Sequence, residues 1–313
     1  MSWERDPLWA KARLFFERAF DESQDEPVFG LWCSLGLELL ARAALASISP
    51  TLLAKPDREH KYLLHALNRG SERVPRISLD AVQVFGLCLA LFAKFTEDDY
   101  KASLALVNRR NEELHSGHAA FDEYPSSQWL AVFYRACASL SSSMGESLVS
   151  LFGEDNAAVA TEILKENMND VKQRVMSTIA SHKTVFQEIS KEDKEKAKVE
   201  AEELGKELST QQHHCVSCPA CKCVATVQGR AFGKQHVSYG DDEIIVKQTV
   251  IPGSFSCSAC GLKLVGYTQL EMAGLGGHYQ RKTTHSPEEF FGLIHPDDIY
   301  DYLGSMEAEY DNE

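Results

Sequence analysis

The chain of 313 residues lacks the features that mark membrane and secreted proteins. No uninterrupted apolar run reaches the roughly 18 residues that a membrane-spanning helix needs. The first residues, Met1-Ser2-Trp3-Glu4-Arg5-Asp6, do not follow a signal peptide's order of basic and then apolar residues. Hydrophobic content of 44% and charged content of 25% are ordinary for globular domains, and the length suits two of them. We therefore expect a soluble, cytoplasmic protein that does not associate with membranes.

Positive charge is also scarce, because the formal net charge is −14. Residues 1–150 and 151–212 each carry a net charge of −4, and residues 286–313 hold nine carboxylates with no Lys or Arg. Residues 213–285, with seven basic and four acidic side chains, form the one net-positive segment. This balance argues against a protein that coats nucleic acid in general and directs attention to residues 213–285.

A nucleotide-binding P-loop is missing as well. The glycine-rich run Gly274-Leu275-Gly276-Gly277 lacks the Lys-Ser/Thr pair and the strand-loop-helix setting that a phosphate-cradling loop needs. We therefore predict a turn at these residues.

The first 152 residues have the apolar spacing of helices almost throughout and predict an all-α domain. Boundary signals include Pro27 at a helix start, Ser49-Pro50 at its end, and Thr96-Glu97-Asp98-Asp99 as a cap with first-turn acids. The first predicted helix begins at Pro7, and the fifth begins at residue 97. The other four cover residues 27–48, 58–67, 78–95 and 128–151.

The rest of the chain changes character twice. Residues 153–212 are polar, charged and helix-prone, and we expect a solvated helical linker or hairpin, with a dimerising helix as the alternative. Residues 213–285 favour a small β domain, with strands predicted at 224–228, 243–251 and 262–270. Residues 286–313 form a predicted acidic tail. The expected fold is therefore mainly α with a small β domain.

Six of the nine cysteines lie between positions 215 and 260. Cys218-Pro219-Ala220-Cys221 and Cys257-Ser258-Ala259-Cys260 are paired C-x-x-C turns separated by β-like sequence. Two such knuckles close a tetrahedron of thiolates, which is typical of a zinc ribbon with one structural Zn²⁺ and no open coordination position. Disulfides are disfavoured because no secretion signal is present.

The ligand choice is not unique from the sequence. Cys215, Cys223 or His214 could replace one of the four ligands Cys218, Cys221, Cys257 and Cys260. The remaining thiols lie on apolar helical faces and are interpreted as core residues: Cys33, Cys88 and Cys137.

The second candidate site is Arg110-Asn111-Glu112-Glu113-Leu114-His115. His can move protons near neutral pH and Arg can neutralise charge on a phosphate, so these groups can cleave a phosphodiester without a metal. Asn111 and His115 are four residues apart and share a helix face, whereas Arg110 points elsewhere. The structural alternative pairs Arg110 with Glu112 or Glu113 and has His115 bind the last helix carbonyls.

On these residues, and on the apolar helix around Leu31–Leu45, the first half of the chain resembles the HEPN family (higher eukaryotes and prokaryotes nucleotide-binding domain). The resemblance implies a metal-independent endoribonuclease with catalytic Arg110, Asn111 and His115, although Arg109 also fits the spacing. It further implies a homodimer with facing motifs, products with a 2′,3′-cyclic phosphate and a 5′-hydroxyl, and a toxin or antiviral-defence setting. The alternative is a non-catalytic module that binds nucleic acid or protein.

Partners follow from the same residues. RNA is the expected substrate, and a protein partner is a further candidate through the zinc ribbon or the acidic tail. Residues between the knuckles could contact either: Arg230, Lys234, His236, Tyr239 and Lys247. We also expect the tail, residues 286–313, to compete with RNA for the basic segment, because a tethered anionic chain has a high effective concentration.

Overall fold

The computed structural model describes residues 3–71, 73–240 and 243–292, and it is mainly helical with a small antiparallel sheet near the C-terminus. The mainly α fold with a small β part is thus confirmed. The helices of the first half are α1 (Arg5–Phe20), α2 (Pro27–Ile48), α3 (Lys61–Ala66), α4 (Ala81–Leu91), α5 (Glu97–His115), α6 (Leu130–Ser143) and α7 (Leu148–Phe152).

Several helix boundaries differ from the prediction, and two of the differences have a clear local reason. Helix α4 ends at Leu91 because Phe92 is extended, which turns Phe92 and Phe95 into the core. The helix predicted for 128–151 is broken into α6 and α7 at Gly145, whose φ of 76° is left-handed and favours glycine.

Helix α2 is the centre of the larger core. Phe29, Leu37 and Leu40 are buried on it. At Gly36 the ring of Phe16 from α1 approaches so closely that a Cβ would lie 2.5 Å from a ring atom. Among the described residues, α2 is the one helix long and apolar enough to cross a membrane, and most of its apolar window is buried inside the fold. The core helix of a soluble protein has the same length and composition.

The segment predicted to be a linker consists of two long helices, α8 (Glu154–Glu188) and α9 (Lys191–Thr210). Ala157 and Ala160 of α8 are buried in the larger core, whereas Val175, further along the same helix, is buried in the second core with the sheet. Helix α8 therefore contributes apolar residues to both cores.

The sheet contains five antiparallel strands, and β2 and β3 form a long hairpin at its centre. Strand β1 pairs with β2, and β4 and β5 pair with different parts of β3. The elements are β1 (His214–Ser217), β2 (Val224–Tyr239), β3 (Ile244–Ser256), β4 (Lys263–Val265), α10 (Tyr267–Met272), β5 (Tyr279–His285) and α11 (Pro287–Phe291).

The strand predicted for 262–270 is wrong beyond Val265. Gly266 has φ 92°, a left-handed conformation that ends β4, and α10 begins at the next residue. Helix α11 occupies the start of the predicted acidic tail. The predicted competition by that tail concerns mainly residues 293–313, which lie outside the described residues.

The helical region contacts the C-terminal part of the chain through hydrogen bonds of two arginines, Arg135 and Arg230. Asp99, fully buried in the first turn of α5, accepts a 2.6 Å hydrogen bond from Arg135 Nε of α6. Arg135 Nη1 in turn donates to Thr268 Oγ1 of α10 at 3.2 Å. From the sheet side, Arg230 of β2 donates to the carbonyl oxygens of Leu89 and Phe95. The two parts are therefore joined by specific polar contacts.

We expect Asp99→Ala to lower the free energy of unfolding by about 3–5 kcal/mol, the usual cost of removing one partner of a buried ion pair. Asp99 also accepts hydrogen bonds from the backbone N–H and hydroxyl of Thr96, so the helix cap is lost too. Glu97→Ala is the matched control, because Glu97 lies in the same turn and is exposed. Equal urea-denaturation midpoints for the two variants would contradict the expectation.

Candidate metal centre and Arg110–His115 motif

The two C-x-x-C turns have the same backbone hydrogen bonds. In the first knuckle the N–H of Cys218 donates to the carbonyl of Cys223 at 2.9 Å, and in the second the N–H of Cys257 donates to that of Leu262 at 2.9 Å. The residue after each second cysteine is left-handed: Lys222 at φ 66° and Gly261 at φ 73°. The sequence therefore builds two equivalent knuckles, although only the second has a glycine at the left-handed position.

The knuckles bring four sulfur atoms together. The Cys218 and Cys260 Sγ atoms are 3.6 Å apart, the Cys221 and Cys257 Sγ atoms are 3.5 Å apart, and all four lie within 4.8 Å of one another. Cys218 and Cys257 are buried and the other two are partly buried. This cluster could hold a metal ion.

The thiols of the cluster change one another's acidity. Hydrogen bonds from the thiols of Cys257 and Cys260 lower the pKa of Cys218, and the hydrogen bond with Cys218 raises the pKa of Cys257. The Cys218 thiolate is thus stabilised, and the thiol of Cys257 becomes less acidic. A bound cation is the species that would stabilise four thiolates at once.

The other candidate ligands are engaged elsewhere. Cys215 Sγ donates to a backbone carbonyl of α9 at 3.3 Å. Cys223 is buried at the position that Leu262 occupies in the second knuckle, and its thiol donates to the carbonyl oxygen of Cys221 at 3.9 Å. The ring of His214 stacks on Tyr279 with centroids 4.4 Å apart. Among the described residues, the group that could hold a metal ion is therefore Cys218, Cys221, Cys257 and Cys260.

The three remaining cysteines are all buried in the helical core, as interpreted from the sequence. Burial raises the pKa of the Cys33 and Cys137 thiols well above their usual value. Such thiols are poor nucleophiles and poor metal ligands.

A contact that the sequence did not predict ties α8 to the second knuckle. His182 Nδ1 lies 2.7 Å from the carbonyl oxygen of Cys260, in hydrogen-bonding contact. Val175 lies two turns earlier on the same side of α8 and is buried in the second core, with the sheet. Nothing in the charged sequence around position 182 distinguishes this histidine from a solvated one.

Arg110 is anchored by a carboxylate from another helix. Its Nη1 donates to Glu38 Oε2 of α2 at 2.5 Å, and Arg42 Nη2 donates to the other oxygen at 2.6 Å. Burial alone would raise the pKa of Glu38, but the charges and hydrogen bonds of Arg42 and Arg110 outweigh it and lower that pKa. Two guanidinium groups sharing one carboxylate leave a net positive charge.

Asn111 is hydrogen-bonded to Arg110, whereas His115 is not. Arg110 Nε and Nη2 donate to Asn111 Oδ1 at 3.2 and 2.9 Å. His115 is the exposed last residue of α5, and its side chain makes no hydrogen bond or ion pair with a described residue. The structure therefore joins Arg110 to Asn111 and leaves His115 exposed, on the helix face that its spacing shares with Asn111.

The structural alternative paired Arg110 with Glu112 or Glu113, and this pairing is wrong. Arg109, and not Arg110, pairs with Glu112, at 3.3 Å, and its guanidinium lies 5.5 Å from the centre of the Tyr124 ring. Glu38, the actual partner of Arg110, is 72 residues away in the chain.

Of the residues between the knuckles, Arg230 is committed to the contact with the helical region described above. Lys234, His236 and Lys247 are exposed on the hairpin. Tyr239 is exposed at its tip and stacks on Phe291 of α11.

No protein-family model, no curated protein and no solved structure matches this chain. Its class follows from its own fold and site: a mainly helical protein with a small antiparallel sheet that carries a four-cysteine cluster able to hold a metal ion.

Proposed function

We propose that the protein is a metal-independent endoribonuclease of the HEPN type, with Arg110, Asn111 and His115 as its catalytic residues. The observation that carries the proposal is the group at the end of α5: an anchored guanidinium, a carboxamide bonded to it, and an exposed histidine one turn beyond. No metal is needed for the reaction, because histidine transfers protons and arginine stabilises the phosphate charge.

Arg110 retains capacity to bind a phosphate. Of its five N–H donors, three are used by Glu38 and Asn111, so two stay available. The shared carboxylate leaves the Arg42–Arg110 group with net positive charge. Anchoring by Glu38 also fixes the guanidinium before RNA arrives, and preorganised donors lower the barrier most.

In the proposed reaction, the 2′-oxygen of the ribose forms a bond to phosphorus while the bond from phosphorus to the 5′-oxygen breaks. One His115 takes the proton of the 2′-hydroxyl, and His115 of the partner subunit gives a proton to the leaving 5′-oxygen. The products are a 2′,3′-cyclic phosphate and a 5′-hydroxyl. Incubation of RNA with the protein in excess EDTA tests this function, and undiminished cleavage is the expected result.

A twofold dimer is part of the proposal, because His115 and Arg110 are not in contact within one chain. Leu114, next to His115, is an exposed large apolar side chain that a symmetric contact would cover. We expect Leu114→Glu to weaken the dimer, because a twofold interface contains the substituted side chain of both subunits. Val185→Glu is the control, because Val185 is equally apolar and exposed but lies on α8. Light scattering that finds the wild-type protein monomeric at micromolar concentration contradicts the dimer.

We further propose that the ion in the cysteine cluster is one structural Zn²⁺. A tetrahedral site with Zn–S bonds of about 2.3 Å has sulfur–sulfur edges of about 3.8 Å. The observed separations of 3.5 and 3.6 Å are close to that edge. Four cysteine ligands leave no open position, so the metal supplies folding stability and not catalysis.

The second candidate function is a non-catalytic module that binds nucleic acid or protein. The partly buried pair of Arg110 and Glu38 favours it, because a purely structural arginine makes the same contact. A toxin or antiviral-defence setting is likewise a proposal that rests on the resemblance. RNA cleavage that is lost in His115→Ala supports the first function, and unchanged behaviour of that variant supports the second.

A further inference from the structure

A loop rich in basic residues lies in the helical region, before α4. Residues 55–76, of which the structure describes all but residue 72, carry six basic and three acidic side chains, whereas residues 1–150 as a whole are net negative. The backbone N–H of Lys55 donates to the carbonyl oxygen of Ile77 at 3.2 Å, so the two ends of this segment meet. We call residues 55–76 the basic loop. No step of the proposed cleavage uses its positive charge.

The basic loop is held in one shape by contacts of its own. Asp57 accepts hydrogen bonds from three backbone N–H groups at the start of α3, at 3.0, 3.1 and 3.2 Å. At Gly70 the chain passes so close to the buried His65 that a Cβ would lie 2.3 Å from the ring Nδ1. A surface that is fixed before its ligand arrives loses little conformational entropy on binding.

Most cations of the basic loop are exposed and unpaired. Lys61 pairs with Glu59 at 2.6 Å. The other basic side chains are exposed and form no ion pair with a described residue: Lys55, Arg58, Arg69, Arg73 and Arg76. Their charges add to one positive potential even where the side chains point in different directions, because a charge acts over about 10 Å at 0.1 M salt. Such a surface attracts an extended polyanion.

Side-chain contacts connect the basic loop to Arg110. Arg42 Nη1 donates to Ser78 Oγ, just beyond the loop, at 3.1 Å. The same Arg42 shares the carboxylate of Glu38 with Arg110. Arg76 is two residues from Ser78, so their Cα atoms are at most roughly 7 Å apart. A strand whose scissile phosphate lies at Arg110 can therefore continue over Arg76.

We infer that the basic loop is a docking surface for an RNA strand, with Arg76 binding a phosphate near the scissile one. The inference deepens the proposed ribonuclease function and rests on it for the position of the scissile phosphate. An anionic lipid surface is the competing partner, because Leu64, Leu67 and Ile77 are exposed beside the cations. The contacts that join the loop to the Arg110 group favour RNA.

Binding of a labelled 2′-O-methyl oligoribonucleotide to the full chain, measured by fluorescence anisotropy over a salt series, tests the inference. The blocked 2′-oxygen cannot attack phosphorus, so the proposed cleavage does not consume this probe. We expect Arg76→Gln to weaken binding about fivefold at 0.1 M salt, because one lost phosphate contact lowers the logarithmic salt slope by about 0.7. The double variant Lys55→Gln/Arg76→Gln should bind more weakly still. Both side chains are exposed, so the melting temperature should not change.

Arg174→Gln is the control, because Arg174 is an exposed arginine of α8 next to Val175 of the second core. Weaker binding by the loop variants, with wild-type binding by Arg174→Gln, supports the inference. It is overturned if the wild type does not bind the probe, if the loop variants bind like the wild type, or if Arg174→Gln weakens binding as much as Arg76→Gln. Binding of the wild type to phosphatidylserine vesicles but not to the probe also overturns it.

The binding assay separates this inference from the proposed function, because it does not depend on cleavage. Loop-dependent binding of the probe, together with RNA that stays intact in the cleavage assay, would contradict the ribonuclease and leave the docking surface standing. Cleavage of RNA by a protein whose loop variants bind like the wild type would contradict the docking surface alone.

Discussion

Cys257→Ser is expected to unfold the sheet and to leave helices α1–α7 folded. The second core contains only about a third as many buried residues as the helical core, and two of them are the proposed zinc ligands Cys218 and Cys257. A structural Zn²⁺ site contributes apparent binding free energy of about 10–16 kcal/mol, which becomes folding free energy when the unfolded chain has no preformed site. Elemental analysis should find one zinc per wild-type chain and none in the variant.

Hydrogen exchange measures where the stability is lost. Exchange should become fast in β1–β5 and in the part of α8 around Val175, which packs on the sheet, while α2 stays protected. Cys215→Ser is the matched control, because Cys215 lies in the same segment and is not a ligand. Zinc-free protein after preparation under reducing conditions, or equal damage from Cys215→Ser, contradicts the metal centre.

His115→Ala should reduce RNA cleavage by a factor of about 10²–10⁴, the usual contribution of a general acid or base. The melting temperature should stay the same, since His115 is exposed and no described residue bonds to it. A loss of rate without a loss of stability identifies a chemical role. Single-turnover rates on one RNA, with circular dichroism melts of the same samples, make the comparison.

His118→Ala is the control for this variant. His118 is an exposed histidine three residues further on, with only loose contacts of 3.8 and 4.0 Å to glutamates. It should cleave like the wild type. Arg110→Ala is a poorer probe, because it removes a partner of the partly buried Glu38 and is expected to destabilise the fold as well. Equal rates for His115→Ala and the wild type would rule out the mechanism.

Local sequence signals predicted the helix ends and turns that depend only on interactions between residues close together in the sequence. Helix α2 spans the residues marked by Pro27 and Ser49-Pro50, and Thr96 caps α5 through a reciprocal pair with Asp99. The cysteine cluster was predictable for the same reason, because the C-x-x-C spacing determines a knuckle within six residues. These signals need no knowledge of distant parts of the chain.

Long-range pairs could not be predicted in this way. Arg110 binds Glu38 across 72 positions, and Arg230 binds Leu89 across 141, so neither partner is marked by its neighbours in the sequence. The role of α8 in two cores was missed because its apolar residues are sparse, and each stretch packs on a different partner.

The chemistry of the RNA ends tests the central claim most directly. A defined RNA is incubated with the protein in excess EDTA, and the termini of the fragments are identified by mass spectrometry. We predict fragments with a 2′,3′-cyclic phosphate and a 5′-hydroxyl, formed by the wild type and by His118→Ala but not by His115→Ala. Intact RNA, or fragments with a 5′-phosphate that form only after a divalent metal is added, would contradict the account.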